Sequence, residues 1–370
     1  MDHVLKCTKC GFQTVDFSSF RCSRCQSILE VKYDYAKMRV PKALWGQRIS
    51  HEKYLPFYPI DSFKVKLNEG GTHLSRRHEE GLGQVYLKME TQNPTHSFKD
   101  RGSSVEISRA LELGFDHVCV ASTGNMGLSI ATYAKVAGIK ATVFISKKAN
   151  KKKIALIRQS HTRIVRVNGD FNKALASAEA FARKAGAFVC GDYHYRKEGQ
   201  KSVIFEIVEQ MKGHVPDFVF APVGNSTLLA AMYKGLEEFR RFSVVNRIPR
   251  LVAVQSEKCN PLVKAFKTGK PVKYMVSKTY ADAIAVGYPT FGFEGIKALK
   301  KTSGLGVSVS ENEIKDAVTR LESEGVLAEP GGATGYAGLQ KLLRAKSKML
   351  WNKKVVVVIT GNNEVTKYDI

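Results

Sequence analysis

No apolar run in the 370 residues approaches the roughly 20 that a membrane span needs, so a helical membrane protein is excluded. No positively charged leader or short apolar block precedes Cys7, which argues against a secretory signal and for the cytoplasm. There is no Gly-Lys-Ser/Thr phosphate loop, and the spaced glycines of the dinucleotide fingerprint are missing. Internal repeats and low-complexity linkers are also absent, which sets aside solenoids and long disordered arms. Acidic residues are scarce beside basic ones, 34 against 58, leaving a net charge of +24. Such an excess admits nucleic-acid binding, but the basic residues are spread along the chain. Their densest cluster, Lys147, Lys148, Lys151, Lys152, Lys153 and Arg158, reads as a strand end and a solvated helix face. A general attraction for anionic substrates is a further reading of the charge.

What is present is an ordinary globular composition, 44% hydrophobic and 25% charged, at a length sufficient for two domains. Four of the seven cysteines form one pattern, Cys7-x-x-Cys10 and Cys22-x-x-Cys25, separated by eleven residues. Paired knuckles of this kind give four thiolates the tetrahedral arrangement Zn²⁺ prefers, and a closed four-Cys site is structural, with no position left for catalysis. Gly11 stands where the first knuckle needs a tight turn. Two disulfides are the alternative, disfavoured in a cytosolic chain.

After a ribbon over residues 1–35 and an irregular connector with Pro41, Pro56 and Pro59, strand and helix patterns alternate from Val85. Helices are expected over Ser103–Leu113, Gly127–Ala137, Lys151–Gln159, Phe171–Ala185, Gly199–Met211, Thr227–Phe239, Glu311–Ser323 and Ala333–Ala345. Strands are expected at Asp116–Ala121, Lys140–Ile145, Arg163–Val167, Phe188–Cys190, Phe218–Ala221, Arg250–Gln255 and Val355–Thr360. The alternation predicts parallel sheets flanked by helices. The division expected is 1–35, 36–195 and 196–370, with early segments crossing between the last two.

In open parallel sheets ligands bind beyond the strand ends, and the chemistry-bearing residues gather there. Asn93-Pro94-Thr95-His96-Ser97-Phe98-Lys99-Asp100-Arg101 leads into a helix. A lysine at a helix N-terminus has its pKa lowered by the positive potential, and so suits a Schiff base with pyridoxal phosphate; a solvated lysine at a charged helix start is the alternative. Ser122-Thr123-Gly124-Asn125 leaves a strand and opens a helix. It can bind a substrate carboxylate and reach a cofactor's phenolic oxygen, or serve only as an N-cap. Gly224-Asn225-Ser226-Thr227 also joins strand to helix and can hold a phosphate monoester without a lysine. Thr360 ends the buried strand Val355–Thr360, where a neutral hydroxyl can face a pyridine nitrogen or merely complete a turn.

Taken in order, these motifs resemble those of the threonine synthases, pyridoxal-phosphate enzymes of fold type II, the tryptophan synthase β superfamily. The likeness runs through Leu5–Gly11, Asn93–Gly102, Ser122–Asn125, Asn168–Ala174, Tyr195–Ser202, Pro222–Asn225 and Ala281–Pro289. It implies a two-domain α/β fold of type II with an N-terminal zinc ribbon held by Cys7, Cys10, Cys22 and Cys25. Lys99 would form the Schiff base and act as the mobile base, with Asn125 on the ring oxygen and Thr360 on the ring nitrogen. Gly224, Asn225, Ser226 and Thr227 would cradle the cofactor phosphate. Ser122 and Thr123 would hold the substrate carboxylate, and Arg196 the substrate phosphate. The implied reaction converts O-phospho-L-homoserine and water to L-threonine and phosphate, in a homodimer with no nucleic-acid or membrane partner. A β-replacement on O-phosphoserine, as in cysteine and cysteate synthases, is the alternative. A silent regulatory relative is opposed by the intact Lys99. The sequence departs from the family pattern at His96, Met126, Cys190, Gly191 and Ala285, on the substrate side more than the cofactor side.

Overall fold

The computed structural model describes residues 3–40, 47–79, 83–122, 124–146, 151–160, 162–345 and 348–362; Thr123, Lys147 and Lys148 lie outside them, as do the side chains of residues 151–153. In chain order the strands and helices begin with β1 (His3–Cys7), β2 (Gln13–Thr14), β3 (Leu29–Tyr33), β4 (Leu74–Arg77), β5 (Gln84–Met89) and α1 (Lys99–Glu112). There follow β6 (His117–Ala121), α2 (Asn125–Val136), β7 (Lys140–Ser146), α3 (Lys151–Gln159), β8 (Arg163–Val167), α4 (Phe171–Ala185), β9 (Phe188–Cys190), α5 (His194–Gln200) and α6 (Ser202–Gln210). The chain continues with β10 (Phe218–Pro222), α7 (Thr227–Arg241), β11 (Arg250–Ser256), α8 (Pro261–Thr268), α9 (Gly292–Lys301), β12 (Leu305–Val309), α10 (Glu311–Ser323), α11 (Pro330–Arg344) and β13 (Lys354–Ile359).

These elements fall into two units, residues 1–69 with 99–200 and residues 70–98 with 201–370. The first holds a four-stranded sheet in the order β8-β7-β6-β9. Its strands are parallel throughout, with Val118 opposite both Ala141 and Phe188. Cys119, Ala121, Phe144 and Val189 pack on Ala174, Ala178 and Ala182 of α4. Helix α4 is delimited as its sequence demands: Asp170 accepts the Lys173 N–H, and Gly186 closes it at φ +63. The antiparallel ribbon β2-β1-β3 belongs to the same unit.

The second unit is built on a six-stranded sheet, β12-β11-β10-β13-β5-β4, parallel except for β4 against β5. Val355, Val356, Val357, Val358 and Ile359 of β13 are each 0% exposed, which puts both faces of that central strand in the core. At about 1.5–3 kcal/mol per buried aliphatic side chain, the gross hydrophobic contribution of those five is roughly 7–15 kcal/mol, before entropy is set against it. Charge is buried in this unit as well. Lys88 on β5 is fully enclosed and donates to Glu206 at 2.6 Å and to the Thr72 carbonyl at 2.7 Å.

Helix α1 begins four residues earlier than its apolar period predicts, which places Lys99 in the helix rather than before it. Helix α5 has no counterpart among the expected elements. Its sequence, His-Tyr-Arg-Lys-Glu-Gly-Gln, carries no apolar stripe, yet every residue is buried. Helices α8 and α9 both lie in the stretch 257–305, whose sequence reads as mixed, with loops around Pro261, Pro271 and Pro289.

Candidate active site and cysteine cluster

In the first unit, Lys99 is the first residue of a fourteen-residue helix. Its side chain is 17% exposed, and Nζ lies 4.0 Å from Oδ1 of Asp192, itself at 6%. The backbone beneath it is held closely. The Lys99 carbonyl accepts from Arg196 Nη1 at 2.9 Å and from Ser103 Oγ at 3.2 Å. Asp100 accepts from Ser129 Oγ, which lies 2.7 Å from Ser103 Oγ. Helix α5 packs directly on this first turn, and a Cβ on Gly199 would sit 2.1 Å from the Arg101 carbonyl oxygen. Glycine is required there for the two backbones to approach.

Ser122 stands at the end of β6, and its Oγ accepts from the N–H groups of Gly127 at 2.7 Å and Gly124 at 3.1 Å. The hydroxyl therefore fixes the loop that opens α2, whose first residue, Asn125, is 9% exposed. Thr123, expected beside it on the substrate carboxylate, is the residue of this loop outside the described set. Arg196 lies at the centre of α5 with its side chain 0% exposed, paired with Glu106 of α1. Burial pushes the Glu106 carboxyl up to about 7, the Arg196 charge opposing that rise. Glu106 and Asp192 escape a reading of the sequence by motif. Glu106 nonetheless carries a signal, being the charged residue seven positions after Lys99 amid the serines and aliphatics of Ser103–Ser108.

In the second unit the loop after β10 is anchored on both sides. Asn225 Oδ1 lies 3.2 Å from the Thr290 N–H and 3.1 Å from its hydroxyl, and the Asn225 carbonyl accepts from Phe291 N–H at 3.0 Å. Ser226 adopts φ +66 before the fifteen-residue α7. Its Oγ is enclosed and has no hydrogen-bond partner among the described residues. A buried, unpaired hydroxyl at a helix N-terminus is the donor that a phosphate monoester would satisfy, so the loop fits that group. Gly224 has Ile284 Cα 3.2 Å from where a Cβ would be, which keeps the backbone close-set. Thr360, 5% exposed, follows β13, and its carbonyl accepts the Phe98 N–H at 3.0 Å. His96 adopts φ +57 and its carbonyl accepts the Asn362 N–H, so a histidine stands where the backbone favours glycine or asparagine.

The four ribbon cysteines converge, their sulfurs all within 4.8 Å of one another. Cys7–Cys25 lie 3.5 Å apart, and Cys10–Cys22 and Cys10–Cys25 3.6 Å. All are free thiols. Both knuckles turn in the same way: Gly11 at φ +75 donates to the Cys7 carbonyl, and Gln26 at φ +56 to the Cys22 carbonyl. The Ser27 hydroxyl and amide pull the Cys25 thiol down to about 6. The Phe12 amide acts the same way on Cys10, but burial and the neighbouring sulfurs outweigh it and push that thiol up to about 11. The set can hold one metal ion. The ribbon is tied to α5 at three residues: Tyr195 Oη donates to the Phe17 carbonyl, Lys197 Nζ to Glu30 and Tyr33 Oη to Glu198.

Among the described residues, no helix is long and apolar enough to cross a membrane. Residues 65–361 match the pyridoxal-phosphate dependent enzyme family. The threonine synthase of Methanosarcina acetivorans is 35% identical over 352 residues, covering 92% of this chain and 86% of that protein. That of Methanocaldococcus jannaschii is 34% identical, covering 96% and 91%. Among solved structures, an L-serine ammonia-lyase from Rhizomucor miehei superposes with a TM-score of 0.71 at 22% identity, over 80% of this chain and 94% of that one. Maize serine racemase does so with 0.68 at 20%, over 76% and 84%. The chain, with its α/β fold of type II, belongs to the pyridoxal-phosphate dependent enzymes and, among them, to the threonine synthase family.

Proposed function

We propose that the protein converts O-phospho-L-homoserine and water to L-threonine and phosphate. The observation that carries this reading is Lys99, a partly exposed amine on the first residue of a helix whose carbonyl at that residue is held from two sides. Pyridoxal phosphate, when bound, supplies an electron sink for charge developed at the substrate Cα. The loop Gly224, Asn225, Ser226 and Thr227 would hold its phosphate, and the enclosed Ser226 hydroxyl supports that assignment. Asn125 would take the ring oxygen, and Thr360 the ring nitrogen.

The chain's own groups then have the following work. Lys99 Nζ takes the proton from Cα and delivers one at the neighbouring carbons. The loop fixed by Ser122 orients the substrate carboxylate at the α2 N-terminus, with Thr123 beside it. The Asp192 carboxylate, 4.0 Å from Nζ, would help to hold that amine in place. Phosphate release and threonine formation from O-phosphohomoserine, compared with O-phosphoserine, test the proposal. Loaded enzyme that yields neither product from O-phosphohomoserine would sink it, and turnover of O-phosphoserine alone would establish β-replacement instead.

Cys7, Cys10, Cys22 and Cys25 we assign to one structural Zn²⁺. The support is metric: Zn–S bonds of about 2.3 Å set tetrahedral sulfurs about 3.8 Å apart, close to the 3.5–3.6 Å separations seen here. Metal analysis should find one equivalent of zinc, and its absence from protein purified without chelator would refute the assignment. A homodimer in the cytoplasm completes the proposal, and light scattering tests the oligomeric state.

A further inference from the structure

Lys99, Ser103 and Glu106 lie at i, i+4 and i+7 on one face of α1. Arg196 runs along that face from α5. Nη1 donates to the Lys99 carbonyl at 2.9 Å, and Nη2 donates to Ser103 Oγ at 3.1 Å and to the Glu106 carboxylate. The slot is tight, for a Cβ on Gly102 would lie 2.7 Å from Arg196 Cγ. The other oxygen of Glu106 accepts the Gly191 N–H at 2.8 Å, at a residue with φ +129. One carboxylate thus ties together α1, the loop after β9, and α5. The remaining Arg196 donors do not form a fork. Both N–H groups of Nη2 are engaged, so neither the Nε/Nη2 pair nor the Nη1/Nη2 pair can grip a phosphate with two parallel bonds. The Nε donor is enclosed and has no partner among the described residues, which leaves at most a single bond on that side.

We propose that Glu106 is a positioning residue for Lys99, acting through Arg196, and that Arg196 serves as its counter-ion rather than as the binder of the substrate's phosphate. This inference rests on the reading of the Lys99 site given above and departs from the role that resemblance assigns to Arg196. Holding the Lys99 carbonyl sets the direction of the first turn of α1, and with it the reach of Nζ. The carboxylate is also what keeps the guanidinium charge off the incoming substrate. A phosphate that took Arg196 would have to strip Glu106 of its counter-ion and leave a buried carboxylate with the Gly191 N–H but no charge to balance it.

The test uses cofactor-loaded Arg196→Lys and Glu106→Gln, with inorganic phosphate as an inhibitory probe. Three quantities are read: kcat, the KM for O-phosphohomoserine with the Ki for phosphate, and the pH midpoint of the cofactor–lysine absorbance band. Lysine keeps a charge for Glu106 but cannot reach all three acceptors. Its kcat should fall by about tenfold or more and its absorbance midpoint should move, while KM and Ki stay within about twofold. Glu106→Gln should show the same pattern. If KM and Ki rise together by about tenfold while kcat and the midpoint hold, Arg196 binds phosphate and the proposal is overturned. Wild-type values throughout in Glu106→Gln overturn it as well. Should a single variant not fold, Glu106→Leu/Arg196→Met removes both charges at once, a change that buried pairs tolerate. It should lose kcat with KM unchanged, and a raised KM would count against the inference. The absorbance midpoint needs cofactor but no turnover, so it decides this proposal even if O-phosphohomoserine proves not to be the substrate.

Discussion

Replacing Gly199 by alanine probes the contact on which the Lys99 turn depends. The new Cβ would lie 2.1 Å from the Arg101 carbonyl oxygen and 2.9 Å from both Arg101 C and Gly102 Cα. Carbon and carbonyl oxygen rest no closer than about 3.3 Å, so α5 and α1 must separate by about 1 Å. All three obstructing atoms are backbone, and no side-chain rotation relieves them. Overpacking of this kind costs about 1–3 kcal/mol, and an overlap with backbone alone belongs at or above the top of that range. Alanine returns about 1 kcal/mol of helix propensity, so a net loss of about 2 kcal/mol is expected. In a unit of this size that lowers Tm by about 4–8 °C. The catalytic effect should be larger than the stability effect, because Arg101 is two residues from Lys99, and a displacement of about 1 Å at a reacting group costs about a hundredfold in rate. Thermal denaturation and phosphate release, measured on one preparation, give both numbers. A Gly199→Ala protein with wild-type Tm and kcat would refute the reasoning about this contact.

Three further outcomes follow from the same geometry. Ser226→Ala should weaken cofactor binding by about tenfold, the worth of one hydrogen bond to a charged group; apo-protein Tm should stay constant, since the hydroxyl has no partner among the described residues. Cofactor titration followed by absorbance checks the first, and unchanged affinity would remove Ser226 from the phosphate loop. A chelator, by stripping the zinc proposed at the four cysteines, should raise amide hydrogen exchange across residues 194–200, because Tyr195, Lys197 and Glu198 are tied to the ribbon; undiminished protection there would show that the ribbon does not support α5. Glu106 predicts a pH dependence. Its carboxyl is raised from 4.5 to about 7 in the fold by burial, against the Arg196 charge and with Asp192 adding to the rise. The folded state therefore holds the proton more tightly than the unfolded chain, and stability should fall as pH rises from about 4.5 through about 7. Glu106→Gln should lack that slope in urea titrations across the window, and an identical slope would exclude Glu106 as its source.

The elements legible in the sequence are those whose burial is one-sided and apolar or wholly apolar. Helix α4 shows its period between Asp170 and Gly186, and β13 announces itself as an unbroken aliphatic run. Helix α5 was not legible, because its seven residues are polar and its burial is achieved through ion pairs and hydrogen bonds to distant segments. Periodicity detects hydrophobic burial and is blind to burial compensated by charge. The start of α1 was misplaced for a related reason: Lys99 to Gly102 are polar or small, and α5 rather than an apolar stripe holds them in the helix. Lys88 on β5 is a third case, a lysine in a central strand made tolerable by Glu206 more than a hundred residues away.

The order of motifs along the chain was enough to determine the family and to single out the candidate lysine, the candidate phosphate loop and the grouping of four cysteines, because each depends on residues close in sequence. Only the tertiary structure decided what surrounds them. The pairing of Glu106 with Arg196 joins residues ninety positions apart, and no local rule links a carboxylate on one helix to a guanidinium on another. The same guanidinium, which the resemblance assigns to the substrate phosphate, donates to the backbone carbonyl of Lys99. The physical reason is burial: in a dry interior a charge is governed by the partner the fold puts beside it, and that partner is not written in the residues next to it.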